Sequence, residues 1–323
     1  MAGGRLLRRR DLMLGASAAG LAAIGIGRAA AMTPLNFTLP QGACDCHVHV
    51  VGNPARYPMA AGRFYTPPEA SPQALLDLQR ALGLERVVLI QPSFYGADNA
   101  FMLDALRQLG LGRARAVAVV DEATPDTALM AMRAAGVRGI RINLETAGLH
   151  DPAVAHERLL AAIARCRPLG WHIQLYTKPT IIAALQDELA ASPVPIVFDH
   201  FAGADAALGV AQTGFDAVLA LVRSGKAYVK LSAPYRESAK GPPYDDIGPL
   251  AAALAAANPA RLLWGSDWPH PDGARVPGRA ATDIAPFLAI DDGLVLNLLP
   301  RWIPDSGARR MILADNPKQL YGF

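Results

Sequence analysis

The sequence predicts a (β/α)8 barrel with additional helices near the C-terminus packed on the barrel. Two observations carry this prediction: eight short apolar runs bounded by turn residues, and helical patterns that alternate with them. Near-continuous apolar strands separated by helices are typical of a parallel sheet covered on both faces, and eight such units favour closure. An open doubly wound sheet is the alternative, but no glycine-rich nucleotide loop follows any of these runs.

The eight strands are expected from their apolar character and the turn residues beside them. They are predicted at residues 43–50, 86–91, 115–120, 137–143, 171–176, 195–200, 227–232 and 261–266. Helical patterns are expected at 72–82, 100–109, 126–135, 155–169, 181–191, 215–223 and 247–257. After the eighth strand a polar, proline-rich loop leads to helices expected near 284–299 and 307–315. We interpret residues 32–323 as one barrel domain.

Residues 1–31 have the pattern of an export signal. Arg9-Arg10 and the three residues after them resemble the twin-arginine pattern, and an apolar run at 14–26 ends in Ala29-Ala30-Ala31, a small-residue cleavage site. The run is shorter than the ~20 residues of a spanning helix, which disfavours the alternative of an uncleaved membrane anchor. We expect the twin-arginine machinery to export the protein to the periplasm, with cleavage near Ala31.

Charge and cysteine content exclude several classes of function. The net charge of +3 comes from the first 31 residues, because the remaining chain carries 26 basic and 27 acidic residues. No basic patch indicates nucleic acid as a partner. Three cysteines do not form a disulfide framework, and nothing in the sequence specifies an oligomeric state.

The motif ACDCHVHV at residues 43–50 is the first candidate site. Because side chains alternate along a strand, His47 and His49 face one side with Asp45, while Cys44 and Cys46 face the other. Two imidazoles in this arrangement can hold a metal ion or polarise a carbonyl. Because the cysteines face away from the histidines, a metal cluster that uses all four residues of CxCHxH is disfavoured. We expect the cysteines to be buried thiols.

Further polar residues fall at the C-terminal ends of the predicted strands, where barrel enzymes place their active sites. They are Ser93, Arg141, Tyr176, His200, Arg236 and Asp267. Asp267 stands between Trp264 and Trp268, and we expect these rings to limit water and raise its pKa toward the range of a general base. His270 could support Asp267 from the following loop, and His172 is expected at the opposite end of the barrel.

Several motifs resemble the amidohydrolase-related barrel family, and most closely the 2-pyrone-4,6-dicarboxylate lactonases and related sugar-lactone enzymes. The motifs are DCHVHV, RFYTP at 63–67, GADN at 96–99, GVRGIRIN at 136–143, FDH at 198–200, LWGSDWPHP at 263–271 and the closing ADNPKQLYGF. The resemblance implies that His47, His49 and His200 polarise a lactone carbonyl and that Asp267 activates water. It also implies substrate contacts from Tyr65, Ser93, Arg141, Tyr176 and Arg236, because an arginine fork suits a carboxylate.

Two departures from the family pattern refine these expectations. The fifth strand ends in Tyr176 and Thr177, where metal-dependent members usually have histidine, so the resemblance implies catalysis without a cofactor. Ala147 and Ala204 stand near positions where dicarboxylate lactonases often have arginine, which disfavours a dicarboxylate substrate.

The sequence thus predicts a periplasmic hydrolase that opens a small carboxylated lactone or cyclic ester. One alternative is a lactone isomerase with the same site, in which a substrate hydroxyl replaces water. Another is a metal-dependent hydrolase or decarboxylase with one divalent ion such as zinc, held by His47, His49 and Asp267, with His200 as a possible further ligand. A solute-binding barrel is a third, but ligand binding alone does not need this cluster of histidines and aspartate.

Overall fold

The computed structural model describes residues 32–273 and 276–323, and the predicted export signal lies outside the described residues. Eight parallel strands form one sheet in the order β1 to β8. Their bounds are β1 Cys44–Val48, β2 Arg86–Ile90, β3 Ala114–Ala118, β4 Val137–Asn143, β5 His172–Tyr176, β6 Ile196–Phe198, β7 Ala227–Ser232 and β8 Leu262–Gly265. The predicted (β/α)8 barrel is confirmed, with each of the eight strands at its predicted place in the chain.

Helices follow the strands and cover the outside of the sheet. They are α1 Pro72–Leu82, α2 Ala100–Leu109, α3 Asp126–Ala135, α4 Pro152–Cys166, α5 Pro179–Ala184, α6 Gln186–Ala191, α7 Phe215–Arg223, α8 Pro234–Glu237, α9 Gly248–Ala257, α10 Asp292–Asn297, α11 Leu299–Trp302, α12 Ser306–Arg310 and α13 Asn316–Tyr321. No helix in the described ranges is both long and apolar enough to cross a membrane.

Local sequence sets the ends of these helices. In α1, the Ser71 hydroxyl accepts a hydrogen bond from the Ala74 N–H, and Pro72 occupies the first turn, where a missing N–H costs nothing. Gly83 ends the helix with φ +77°, a left-handed conformation that favours glycine. The helix predicted at 155–169 begins earlier, at Pro152, because the Asp151 carboxylate accepts from the Ala153 N–H and caps the first turn.

The barrel closes where β1 meets the residues that follow β8. The Asp267 N–H donates to the His47 carbonyl at 2.8 Å, and the His49 N–H donates to the Trp268 carbonyl at 2.7 Å. Gly265 allows this approach, because a Cβ there would lie 2.7 Å from the Cβ of His47. The same backbone contacts that close the sheet therefore bring the two histidines beside Asp267.

The C-terminal segment differs in part from its prediction. Residues 284–291 are not helical: the Ala285 N–H donates to the Thr66 carbonyl at 2.8 Å, and Phe287 pairs with Pro271. This segment thus covers loops at the top of the barrel. At the other end, the Asn316 side chain donates to the Leu262 carbonyl at 2.8 Å, so the last helices pack on the barrel as predicted.

Side chains on the two faces of β1 have separate environments. Cys44 and Cys46 lie fully buried outside the barrel in an apolar cluster with Tyr321. All three cysteines are free and buried, as expected for structural thiols, and the alternation of side chains directs the histidines into the barrel.

Candidate active site

A narrow polar cleft lies at the C-terminal ends of the strands. Eight of the nine predicted site residues line the cleft: His49, Tyr65, Ser93, Arg141, Tyr176, His200, Arg236 and Asp267. The other lining residues are Pro92, Asn143, Thr146, Pro271 and Gly273. The ninth, His47, is fully buried directly beneath Asp267. The structure thus brings together every side chain that the sequence indicated.

Asp267 is the centre of this group. Its Oδ1 atom lies 3.4 Å from His49 Nε2, 3.5 Å from His47 Nε2 and 3.9 Å from His200 Nε2. That oxygen is buried and accepts no hydrogen bond from the described part of the chain. The Oδ2 atom accepts from the Tyr235 hydroxyl at 2.7 Å and from Arg236 Nε at 2.8 Å. The carboxylate is thus fixed through one oxygen while the other faces the imidazoles.

The expectation that Asp267 has a raised pKa is wrong. Burial does raise the pKa of this carboxyl, but the Arg236 guanidinium, together with His200, His49 and His47, holds it well below its usual range. Arg236 lies 31 residues away in sequence, so the neighbouring tryptophans gave no indication of it. Asp267 is therefore ionised at neutral pH, so the expected role of a base would depend on its position rather than on high basicity.

His47 and His200 are neutral rings. Burial lowers the pKa of His47 well below its ordinary value, and burial likewise lowers the pKa of His200 to about 4. The Nδ1 atom of His200 lies 2.9 Å from the Ser232 hydroxyl, which fixes the plane of the ring. A neutral imidazole has one nitrogen-bound hydrogen, so the partner of Nδ1 decides whether Nε2 donates or accepts a hydrogen bond.

His49 has a defined tautomer in its neutral form. Its Nδ1 atom lies 2.8 Å from the Ile90 carbonyl oxygen, which can only accept, so Nδ1 carries the hydrogen. The Nε2 lone pair then points toward Asp267 Oδ1. A neutral His49 therefore accepts hydrogen bonds in the cleft, which limits its expected role in polarising a carbonyl.

A left-handed turn after β6 presents His200. Three successive non-glycine residues have positive φ values: His200 at 44°, Phe201 at 52° and Ala202 at 62°. Gly203 follows at 67°, where a Cβ would lie only 2.2 Å from the Thr177 carbonyl oxygen. Such conformations cost of order 1–3 kcal/mol each and are concentrated at functional sites.

Sequence reasoning missed a polar group inside the barrel, beneath the cleft. Asp199 Oδ2 accepts from Arg141 Nε at 3.2 Å and from Gln174 Nε2 at 3.1 Å. Lys230 Nζ donates to Gln174 Oε1 at 2.7 Å and lies 3.4 Å from Asp199 Oδ1. The sequence feature that indicates such a group is a charged or amide residue within an otherwise apolar strand, as in AYVKLS and WHIQLY.

His270 and Tyr235 support Asp267 from the opposite side. His270 Nδ1 lies 3.2 Å from the Tyr235 hydroxyl, and its Nε2 lies 3.2 Å from Asp292. This agrees with the expected supporting position of His270. His172 is buried at the start of β5, at the end of the barrel away from the cleft, as expected.

The cluster includes two groups of potential metal ligands. His47, His49 and Asp267 place possible ligand atoms within 4.8 Å of one another, as do His47, Asp199 and His200. The first spacing suits one divalent ion, because ligands about 2.0–2.2 Å from a tetrahedral zinc are roughly 3.4 Å apart. A ligating Nε2 needs a hydrogen on Nδ1, and His49 meets this condition because its Nδ1 faces the Ile90 carbonyl. His47 fits poorly, because Lys230 Nζ faces its Nδ1 at 3.3 Å.

Comparison with known proteins identifies relatives over almost the whole chain. The chain is similar to a 4-sulfomuconolactone hydrolase of Rhizobium radiobacter, with 36% identity over 305 residues, 92% of this chain and 95% of the relative. It is also similar to a 2-pyrone-4,6-dicarboxylate hydrolase of Comamonas testosteroni, with 36% identity over 294 residues, 88% of this chain and 92% of the relative.

A solved structure shares the architecture. The apo crystal structure of an Agrobacterium tumefaciens protein superimposes with a TM-score of 0.76 at 26% identity, covering 90% of this chain and 98% of that chain. The sequence profile named Amidohydrolase (Amidohydro_2) matches residues 44–323. The barrel, the cluster at its strand ends and these matches agree with the resemblance of the motifs: the chain belongs to the amidohydrolase family.

Proposed function

We propose that the protein is a lactone hydrolase that opens a small carboxylated lactone with water. The observation that carries this proposal is the buried Asp267 Oδ1 atom, which has no hydrogen bond within the described ranges. Three imidazoles face it, and the cleft beside it also contains Arg141. Relatives at 36% identity are named for the hydrolysis of lactones, which supports the same class of reaction here.

Asp267 and His49 bind the nucleophilic water. Both Asp267 Oδ1 and the lone pair on His49 Nε2 are acceptors, and they lie 3.4 Å apart at the cleft. A water molecule can donate one hydrogen to each, which directs its own lone pair at the lactone carbonyl. As the water oxygen forms a bond to the carbonyl carbon, Asp267 accepts its proton.

His200 faces the carbonyl oxygen, whereas His47 lies behind Asp267 with its Nε2 atom 3.5 Å from Asp267 Oδ1. Charge develops on that oxygen in the tetrahedral intermediate, and hydrogen bonds aimed at it stabilise the transition state more than the bound lactone. When the ring C–O bond breaks, the leaving oxygen takes the proton back from Asp267. Water is added across the bond, and the product is an open hydroxy acid.

Arg141 anchors the substrate carboxylate. Its Nε donates to Asp199, whereas its two terminal nitrogens make no hydrogen bond within the described residues. Arg236 uses Nε for Asp267 and Nη2 for the Pro271 carbonyl, so less of it remains for the substrate. The guanidinium of Arg141 also lies 5.8 Å from the centre of the Tyr176 ring, which fixes its plane.

We propose that this chemistry proceeds without a resident metal. A divalent ion held by His47, His49 and Asp267 would act as a Lewis acid on the carbonyl oxygen. Two cationic side chains lie beside these residues instead: Arg236 contacts Asp267, and Lys230 contacts His47. The contact between Lys230 and His47 supports the metal-free reaction, because it opposes the tautomer that a metal ligand needs.

The experiment is an assay of purified protein against lactones with no, one or two carboxylates, with the products identified by NMR. Ring opening to a hydroxy acid by the wild type, and its loss in Asp267→Asn, is the expected result. Conversion of one lactone into an isomeric lactone would identify the isomerase alternative. Absence of turnover on every lactone, despite binding, would contradict the proposal.

We also propose that the protein is exported to the periplasm and begins near Met32 after cleavage. Arg9-Arg10, the short apolar run and Ala29-Ala30-Ala31 support this. Edman sequencing of the native protein from a periplasmic fraction should give Met32 or a residue beside it. Recovery of a chain that retains Met1 or Ala2 would contradict the proposal.

A further inference from the structure

Lys230 occupies an unusual position for a lysine, fully buried inside the barrel on β7. Its Nζ donates to Gln174 Oε1 at 2.7 Å and lies 3.3 Å from His47 Nδ1. Burial lowers the pKa of Lys230, and the Asp199 carboxylate 3.4 Å away counteracts this effect. A buried lysine is costly unless its charge is compensated, so its contacts with the site need an explanation.

Asp199 is the competing partner of His47 Nδ1. Asp199 Oδ1 lies 3.2 Å from this nitrogen, but the geometry is not that of a hydrogen bond, and the oxygen has no hydrogen-bond partner in the described part of the protein. The other oxygen of Asp199 is directed at Arg141 and Gln174. Of the two groups near Nδ1, Lys230 is therefore the one with hydrogen-bond geometry.

The identity of this partner determines where the hydrogen of His47 lies. An ammonium can only donate, so Nδ1 must hold a lone pair, and the single hydrogen of the neutral ring is on Nε2. That Nε2 atom has no hydrogen-bond partner among the residues that the structure describes, and it lies 3.5 Å from Asp267 Oδ1. His49 shows the opposite pattern, with its hydrogen on Nδ1 donated to Ile90.

We propose that Lys230 is a positioning residue that holds His47 as the Nε2–H tautomer. This inference rests on the proposed function and assigns the two histidines of the HxH motif to different tasks. His47 directs its Nε2–H at Asp267 Oδ1 and so orients the base, whereas His49 accepts from water. The same hydrogen bond disfavours metal at this site, because a ligating His47 would turn an Nδ1–H toward the ammonium.

The direct test is the ¹⁵N spectrum of the histidine rings in the substrate-free protein near pH 7.5. His47 is assigned by comparison with His47→Gln, and its ring nitrogens are distinguished by their couplings to the carbon-bound ring protons. The wild type should show His47 with an unprotonated Nδ1 and a protonated Nε2. This measurement requires no substrate, so it is independent of whether the proposed lactone hydrolysis is correct.

The variant Lys230→Met removes the donor while nearly preserving the length of the side chain. We expect His47 to change to the Nδ1–H tautomer, with Asp199 as the new acceptor. We also expect zinc affinity, measured by calorimetry on chelator-treated protein, to rise by roughly ten- to a hundred-fold, the range by which such supporting contacts alter metal affinity. Gln174→Leu is the matched control, because it removes the two neighbouring hydrogen bonds of Gln174, with Asp199 and with Lys230, but leaves Lys230 in place. It should retain the tautomer of the wild type.

Three results would overturn the proposal: a wild-type His47 with its hydrogen on Nδ1, an unchanged tautomer in Lys230→Met, or the same change in Gln174→Leu. If Lys230→Met does not fold, the wild-type spectrum still decides, since it reports the tautomer directly.

Discussion

The backbone N–H of Asp267 donates to the carbonyl of His47 at 2.8 Å, in the seam where the sheet closes. This bond places a carboxylate from the end of the eighth strand against a histidine of the first. A side chain that separated the two segments would therefore disturb both the closure of the barrel and the geometry of the site.

Gly265→Ala tests that relationship. The added Cβ would lie 2.7 Å from the Cβ of His47 and 2.9 Å from its backbone nitrogen, so the strands must separate. We expect a loss of about 1–3 kcal/mol in unfolding free energy, the usual cost of overpacking. We also expect kcat to fall by more than this loss of stability alone would cause. Gly112→Ala is the control, because nothing lies within 4 Å of its added Cβ. Equal stability of the two variants in urea melts would show that the seam tolerates the methyl group.

Asp267→Asn should lower kcat by at least about 100-fold, the scale of a general acid–base group, with a much smaller change in KM. The amide preserves the size of the side chain and removes the base. Asp216→Asn, on the exposed face of α7, should have wild-type kinetics. Steady-state kinetics on one lactone would suffice, and an Asp267→Asn variant within a few-fold of wild type would exclude this residue as the base.

Arg141→Met should raise KM at least about tenfold for a monocarboxylated lactone and leave a neutral lactone almost unaffected, because a hydrogen bond to a charged group contributes roughly 1.5–3 kcal/mol. The wild type should also prefer one carboxylate to two. Lys178 is paired with Glu145 and Glu237, each at 3.6 Å, and is not free to bind a second anion. Values of kcat/KM on matched lactones provide the measurement, and tenfold better turnover of the dicarboxylate would contradict this description of the cleft.

His172 should make the protein sensitive to acid. Burial lowers its pKa from 6.5 to about 3, and neither ring nitrogen has a hydrogen-bond partner among the described residues. In the unfolded chain the His172 ring takes up a proton near pH 6.5, whereas in the native protein it does so only near pH 3. The free energy of unfolding therefore decreases as the pH falls below 6.5. Between pH 7 and 5 the loss is about 2 kcal/mol.

His172→Leu should remove that pH-dependent loss from the unfolding free energy measured by denaturant titration. His150→Leu, on the surface, should leave it unchanged. An identical pH dependence in the wild type and His172→Leu would show that His172 is not the titrating group.

The fold could be predicted from the sequence because its signals are local. Short apolar runs bounded by turns gave all eight strands, and the ends of those strands gave the residues that line the cleft. The helix expected at 284–299 begins only at Asp292, since Ala285 and Phe287 form backbone contacts with distant loops instead. Such pairing has no local signal.

The charges of the site were less predictable. Trp264 and Trp268 indicated a dry site around Asp267, but the Arg236 guanidinium decides the protonation of that carboxyl. Asp199, Gln174 and Lys230 come from three different strands and meet only when the barrel closes. Their contacts depend on register between strands, which the order of residues along one strand does not reveal.

The central claim is that Asp267 and its imidazoles open a lactone without a metal, and the most direct measurement is activity against metal content. Protein treated with a strong chelator would be assayed for kcat/KM, with zinc and manganese quantified by mass spectrometry in the same sample. We predict wild-type activity at metal contents far below one ion per chain. Activity that falls in proportion to the metal removed, and returns when zinc or manganese is added, would contradict the account.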